Sequence, residues 1–427
     1  MTARAIAEWH PLRRAVVRAP GMEAFFGLFE PYSSLYERVF SLARARREHE
    51  ELAETLRSSF GVQVQVLDRI LIEAAGRRPE IADELFDRVA RTVEFSGPGA
   101  KRARREFRGT IRGLDPEQLV QALILAPSLR FQRGRGTRSV SSYTTLKVPL
   151  TNLFFLRDQQ AVTDRGIVLG RLAKPQRRRE TEITEFAWRA LGEPPVARIQ
   201  HGTFEGGDYL PAGDFALVGQ GDRTSAGGVE ELLDHGVGVP EVGVVTQPRH
   251  PLVATHDPMV NMHLDTYLNF PGDGIAVGYR RMLEAARVDV FLRDRGSYHR
   301  SHATQLLSYL ERDHGFRVLG ISTLEQLCYA TNFLTIRDRT ILVPDVARNA
   351  ERVLAHLRHA AERQPARYAP LYLRAAKEAG ELRGEHRFFP HGREARDLGL
   401  TAVKVPLENL TGAFGGAHCL TAAIERG

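Results

Sequence analysis

The sequence predicts an α/β fold with a helical insertion, on three observations. Short apolar strands alternate with amphipathic helices over nearly the whole chain, one central stretch carries helix signals and almost no strand signal, and one heptapeptide recurs near the end. In chain order, RRAVVRAP (Arg13 to Pro20) reads as a strand, Ser34 to Phe60 as a long helix, and VQVQVLD (Val62 to Asp68) as a second strand. From about Ile72 to Leu125 the pattern is helical, and LDPEQLVQALIL offers Asp115 and Pro116 as an N-cap and N1 pair. A second helical stretch runs roughly from Ala361 to Arg387 and ends at the turn-rich FFPHG. The expected organisation is an α/β body of residues 1–71 and 126–427, with helical insertions at 72–125 and 361–387. KVPLTNL (Lys147 to Leu153) returns as KVPLENL (Lys404 to Leu410), identical at six of seven positions, which reads as a repeated strand-to-loop unit. Equivalent loops should face one place, so the first copy should present Asp158 where the second presents Cys419.

Composition narrows the function. With 43% hydrophobic and 26% charged residues the chain is of the soluble globular class. The opening MTARAIAEWHPLRRAVV has no continuous apolar core of a signal peptide, and no stretch reaches the roughly 18 to 20 apolar residues that span a bilayer, so a cytoplasmic protein with no membrane partner is expected. Two widely separated cysteines make neither a disulfide framework nor a metal-binding CxxC, which suits a reducing compartment. The net charge of +7 raises nucleic acid as a partner. Most basic clusters, however, are interleaved with acids. RARREHEELAETLR (Arg44 to Arg57) reads as a solvated helix face, and only Lys101 to Arg112 is strongly one-signed, with no aromatic-rich or helix-turn-helix motif to support it. Nucleic acid is therefore not expected, and composition leaves open whether the chain forms a homo-oligomer.

The chemistry concentrates on a few glycine-flanked stretches. Cys328 lies in ISTLEQLCYATNFL at helical spacing with Leu324 and Leu327 and reads as core, where a free cysteine behaves as a small hydrophobe. Cys419 follows Gly415 and Gly416 in GAFGGAHC, a loop whose glycines permit close approaches to a ligand. FFLRD, FEGGD and MHLDT add Asp158, Glu205, His263 and Asp265, the last two expected on one face of a strand. A lone histidine in a strand is more often a satisfied structural group, and a lone EGG more often a hairpin. Together, one thiol, one imidazole and three carboxylates exceed what a thiol hydrolase needs, because the carboxylates' field opposes thiolate formation. The excess is accounted for by a cationic substrate, and a planar guanidinium with its fixed fork of donors is the cation that several carboxylates grip best. Metal binding by the HxD pair ranks lower, since no second histidine stands at a matching spacing.

Taken in order, PLRRAVVRAPG, RGLDPEQLVQAL, TNLFFLRD, RRRET, FEGGD, DRTS, MHLDT and GGAHC resemble the arginine deiminases of the guanidino-group-modifying superfamily over most of the chain. The resemblance implies a five-bladed pseudo-symmetric α/β propeller of ββαβ units with its site on the central axis. It also implies a cofactor-independent, metal-free hydrolysis of a small cationic guanidino compound, with L-arginine first among candidates. By resemblance Cys419 is the nucleophile, His263 the general acid and base, Asp158 and Asp265 the guanidinium clamps, and Glu205 the carboxylate beside the histidine. Asn152, Phe155, Arg177, Arg223 and Phe414 stand at substrate-contacting positions, with Arg179 a rival to Arg177 in the RRR run.

Two departures matter: Phe414 stands where the family usually has an arginine for the substrate carboxylate, and Gln159 and Gln160 replace a proline and an aromatic after FFLRD. An amidinotransferase, a deiminase of another guanidine such as agmatine, and a relative that binds without turnover are the alternatives.

Overall fold

The strand Leu12–Val17 buries Leu12, Ala15, Val16 and Val17, and it pairs with both neighbours in its own unit: antiparallel to Thr421–Arg426 and parallel to Gln63–Val66. The computed structural model describes residues 3–133, 140–253, 260–383 and 388–427. Four further strand triplets repeat the same wiring. They are Gln160–Val162, Ile167–Leu169 and Ala197–Arg198; Tyr209–Ala212, Phe215–Gln220 and Glu241–Thr246; Leu268–Gly272, Ile275–Gly278 and Arg317–Gly320; and Leu334–Arg337, Thr340–Pro344 and Thr401–Val405. In each the first two strands are antiparallel and the last two parallel. The parallel step needs a crossover, and helices such as Leu42–Ser58, Glu180–Leu191 and Val346–Arg363 lie within those crossovers. Among the described residues the strands form six separate sheets and close no barrel, so the architecture is mixed α/β.

The long helix expected from Ser34 begins only at Leu42, with the Ser41 hydroxyl accepting from Arg44 N. Residues before it are held as turns by tertiary bonds: the Tyr36 hydroxyl donates to Thr151 O at 2.6 Å and Glu37 N to Gly412 O at 2.9 Å. Glu48, expected on a solvated face, is buried and accepts from Asn409 N at 2.9 Å and Leu410 N at 3.1 Å, which fixes the turn leading to Cys419. Leu67 and Asp68, expected to end a strand, open the helix Leu67–Arg77.

The stretch from Ile72 to Leu125 contains the helices Pro79–Thr92, Ala100–Thr110 and Pro116–Leu125, with the short strand Glu94–Ser96 among them. Asp115 caps the last helix, accepting from Gln118 N at 2.8 Å while its own N–H donates to Gln118 Oε1 at 3.1 Å. Glu94–Ser96 pairs with Pro127–Arg133, which pairs with Val140–Leu146, a small exposed sheet that the sequence did not announce. The helix carrying the basic run, Ala100–Thr110, buries none of its residues. In the second helical stretch, Val346–Arg363 continues into Pro365–Arg383 after a break at Gln364, and residues 384–387 lie outside the described residues. No helix among the described residues is long and apolar enough to cross a membrane.

Candidate active site

Each triplet places one polar residue shortly before its first strand. Asp158 precedes Gln160–Val162, Glu205 precedes Tyr209–Ala212, Asp265 precedes Leu268–Gly272, Asn332 precedes Leu334–Arg337, and Cys419 precedes Thr421–Arg426. All five are buried, as is His263. The two loops that follow the repeated heptapeptide meet backbone to backbone, Arg157 N donating to Cys419 O at 3.1 Å. Chain folding thus brings together residues from five separate stretches.

His263 and Asp265 do not share a strand face as expected. Leu264–Thr266 is a single 3₁₀ turn, pinned by the Thr266 hydroxyl on His263 O at 2.6 Å and by Leu264 N on Asp208 Oδ1 at 3.0 Å. The turn aims His263 at Glu205, with Nε2 to Oε2 at 2.9 Å, and Asp265 at the thiol, with Sγ to Oδ2 at 3.6 Å. FEGGD makes another 3₁₀ turn, Gly206–Asp208, in place of a hairpin. A Cβ on Gly207 would lie 2.8 Å from His263 Nδ1, so the imidazole occupies space that only glycine leaves. At Gly415 the requirement is also proximity, since a Cβ there would come within 2.3 Å of the Phe155 ring.

The charge arrangement sets the protonation states. Burial alone would depress His263, but Asp158, the hydrogen bond to Glu205 and Asp208 outweigh it and raise it to about 9. Burial opposes ionisation of Glu205, yet Arg223 and His263 hold it well below the usual carboxylate range. Burial pushes the Cys419 thiol up, and the charges of Asp265 and Asp158 push it further. The site as folded therefore holds an imidazolium and a neutral thiol, in keeping with its excess of carboxylates. Cys328, by contrast, is fully buried at the end of the helix Thr323–Leu327 in the main apolar core.

Arg177, an expected substrate contact, is buried. Its guanidinium is 2.7 Å from Asp158 Oδ2 and 2.8 Å from Glu180 Oε2, so carboxylates already occupy it. Arg179 turns away, donating to Leu123 O at 3.0 Å, so of these two arginines it is Arg177 that reaches the carboxylates. Arg223 is 2% exposed, with Nη1 3.6 Å from Glu205 Oε2, and neither its Nε nor its Nη1 has a hydrogen-bond partner among the described residues. Asn152 Nδ2 donates to Ser34 O at 2.8 Å, tethering the segment before the first long helix. Phe155 packs under the cysteine loop. Phe414 adopts a left-handed backbone with φ of 74° and borders a cavity of about 30 Å³ with Met262, Tyr329 and Leu357.

Sequence reading gave no role to several contributors. Asn332 Oδ1 accepts from Gly416 N at 2.8 Å and Cys419 N at 3.1 Å, and its only sequence signal was its place before a strand in TNFL. Glu180 and Gln159 form a buried pair behind Arg177, Gln159 Nε2 donating to Glu180 Oε2 at 2.6 Å. One of the two glutamines that depart from the family pattern is thus engaged in that pair, and the other accepts from the Trp188 indole at 3.2 Å. Asp158, Glu205 and His263 offer atoms within 4.8 Å of one another, a spacing that would also admit a cation, but Arg177 already stands on Asp158.

The comparisons with known proteins follow this geometry. The family model for arginine deiminase matches residues 33–426. The arginine deiminase of Halobacterium salinarum is 27% identical over 417 residues, covering 79% of this chain and 85% of that protein. Among solved structures, the ternary complex of AgrE with ornithine and NAD+ superposes with a TM-score of 0.51 at 14% identity, over 97% of this chain and 39% of that longer one. A dimethylarginine dimethylaminohydrolase from Pseudomonas aeruginosa, a cysteine-to-serine mutant complexed with citrulline, gives 0.48 at 15% identity, over 96% and 98% of the two chains. The likeness to AgrE is one of mixed α/β fold alone. The chain belongs to the arginine deiminase family, hydrolases that act on the C–N bonds of amidines.

Proposed function

We propose that the protein hydrolyses a guanidino amino acid, L-arginine first, to the ureido product and ammonia. The observation that carries this reading is a set of buried polar atoms without hydrogen-bond partners among the described residues. Asp158 Oδ1 and Asp265 Oδ1 have nothing there to accept from, and Arg223 Nε and Nη1 have nothing to donate to. Buried groups left this way call for a partner that the chain does not supply, whether water or a ligand. Two carboxylate oxygens without hydrogen bonds suit a guanidinium, and Arg223, ion-paired to Glu205 at 3.6 Å but with Nε and Nη1 making no hydrogen bond, suits a carboxylate.

The cation's arrival offsets the field of Asp158 and Asp265, and the thiol proton passes to solvent. The Cys419 thiolate attacks the guanidinium carbon, and the His263 imidazolium gives its proton to the departing ammonia. The resulting S-alkylthiouronium is attacked by a water whose proton returns to the now neutral imidazole. The C–S bond then breaks as the remaining hydroxyl proton passes to the sulfur, restoring the neutral thiol and releasing the ureido compound. Glu205 holds the imidazole in place throughout.

In this reading the five like-wired triplets are the blades of a pseudo-symmetric propeller, and their pre-strand loops converge on its axis. Residues 1–71 and 126–427 would form the catalytic body, with 72–125 and 361–387 as insertions. Cytoplasmic location rests on two cysteines that form no disulfide.

A second reading, deimination of a guanidine without a carboxylate such as agmatine, is favoured by Phe414 and the apolar residues beside it. Incubating the protein with a panel of guanidino compounds, with separate assays for ammonia and ureido product, tests both. Arginine giving citrulline and ammonia in equal amounts is expected. Neither product from any guanidine would overturn the hydrolase reading, and ornithine without ammonia, in the presence of an amine acceptor, would indicate transfer.

A further inference from the structure

His418, next to the thiol, is fully buried and belongs to none of the roles above. Its Nδ1 lies 2.8 Å from Asp265 Oδ2, and its Nε2 lies 3.4 Å from Glu8 Oε1. Both ring nitrogens face carboxylate oxygens, and the ring can donate to both at once only when each nitrogen carries a proton. Glu8 is in turn held by two buried arginines, Arg157 Nη2 at 2.8 Å and Arg426 Nη2 at 3.0 Å. The groups facing the imidazole are thus Asp265 from the 3₁₀ turn and Glu8 from the N-terminal segment, with Arg157 and Arg426 behind Glu8. The same Asp265 oxygen is the one 3.6 Å from the Cys419 sulfur, and the other, Oδ1, has no hydrogen-bond partner among the described residues.

We propose that His418 is a positioning residue for the reaction: it fixes Asp265 by Oδ2, leaves Oδ1 available to the substrate, and offsets the carboxylate charge beside the thiol. This rests on the deiminase reading for its consequence in turnover, but its electrostatic part concerns the free protein. Without the imidazolium, the full charge of Asp265 faces the sulfur and thiolate becomes harder to form.

The test is His418→Asn, whose Nδ2 stands near the Nδ1 position and keeps a neutral donor to Asp265, beside His418→Leu, which keeps none. Iodoacetamide alkylation of Cys419, followed by peptide mapping to separate it from Cys328, is measured against pH without substrate. In His418→Asn the alkylation profile is expected to move at least one pH unit upward while the thermal midpoint stays near wild type. kcat/KM for arginine at neutral pH should fall at least tenfold, carried by kcat. A wild-type alkylation profile in His418→Asn would overturn the proposal, whether or not His418→Leu folds. A shifted profile in a protein that converts no guanidine would uphold the role of His418 and overturn the deiminase reading, so the two failures are distinct.

Discussion

The guanidinium of Arg177 lies 2.7 Å from Asp158 Oδ2, on the same carboxylate that is expected to clamp the substrate's guanidinium. Asp158 therefore serves the protein's own cation with one oxygen, while the other, 3.9 Å from His263 Nδ1, has no hydrogen-bond partner among the described residues. Asp158→Asn should lower turnover by about 10²- to 10³-fold. It should also destabilise the fold, since removing one partner of a buried ion pair costs about 3–5 kcal/mol, softened here because Glu180 still holds Arg177. Activity assays and urea denaturation on the same preparation check both; wild-type rates would remove the guanidinium clamp from the mechanism.

The two cysteines should behave oppositely. Cys419→Ser should abolish turnover and keep the fold, because a hydroxyl beside Asp265 is a far poorer nucleophile than a thiolate. Cys328→Ser should retain most activity at some cost in stability, as it places a hydroxyl in the apolar core. Steady-state rates and thermal midpoints of the two variants decide it, and a reversal of their order would sink the assignment of the nucleophile.

The raised His263 gives a pH prediction with a definite sign. Its folded value of about 9 exceeds the ordinary value of 6.5, so the native state binds the proton more tightly. The stability this contributes is fully present below about 6.5 and is lost as pH rises through about 9. kcat/KM should fall on the alkaline side with the same group, because the acid for the leaving ammonia disappears. His263→Gln should abolish turnover and flatten the stability profile in that window; an unchanged slope would show that another group titrates there.

Gly207→Ala puts a methyl group 2.8 Å from His263 Nδ1, closer than real side chains pack. The imidazole must shift from Glu205, so kcat should drop about tenfold to a hundredfold, in line with small displacements of catalytic groups. KM should change little. A variant with wild-type kcat would mean that the His263 to Glu205 contact does not matter for chemistry.

At Phe414, arginine and agmatine give opposite expectations. If a substrate carboxylate is held by Arg223, Phe414→Arg adds a charge-assisted partner and should tighten arginine binding by roughly ten- to a hundredfold, about 1.5–3 kcal/mol. If the native substrate has no carboxylate, wild type should prefer agmatine and the same variant should impair it. Comparing kcat/KM for both compounds on both proteins separates the cases, and no change for either would place Phe414 outside the binding pocket.

The sequence by itself determined the residue types and the local elements. The Asp115 and Pro116 cap, the alternation of strands and helices, and the contrast between a helical Cys328 and a glycine-flanked Cys419 are all written in spacings of a few residues, and periodicity and capping act over that range. Only the tertiary structure decided what those residues touch. Glu48 reads as a solvated helix position but binds Asn409, 361 residues away. His263 and Asp265 diverge to Glu205 and His418 because a turn pinned by Asp208, not a strand, carries them. The partners of Asn332, Glu180, Glu8 and His418 could not be read from local spacing, even where the residue lay in a quoted motif, since a buried polar residue is defined by partners that distant parts of the chain supply, and desolvation makes those partners obligatory.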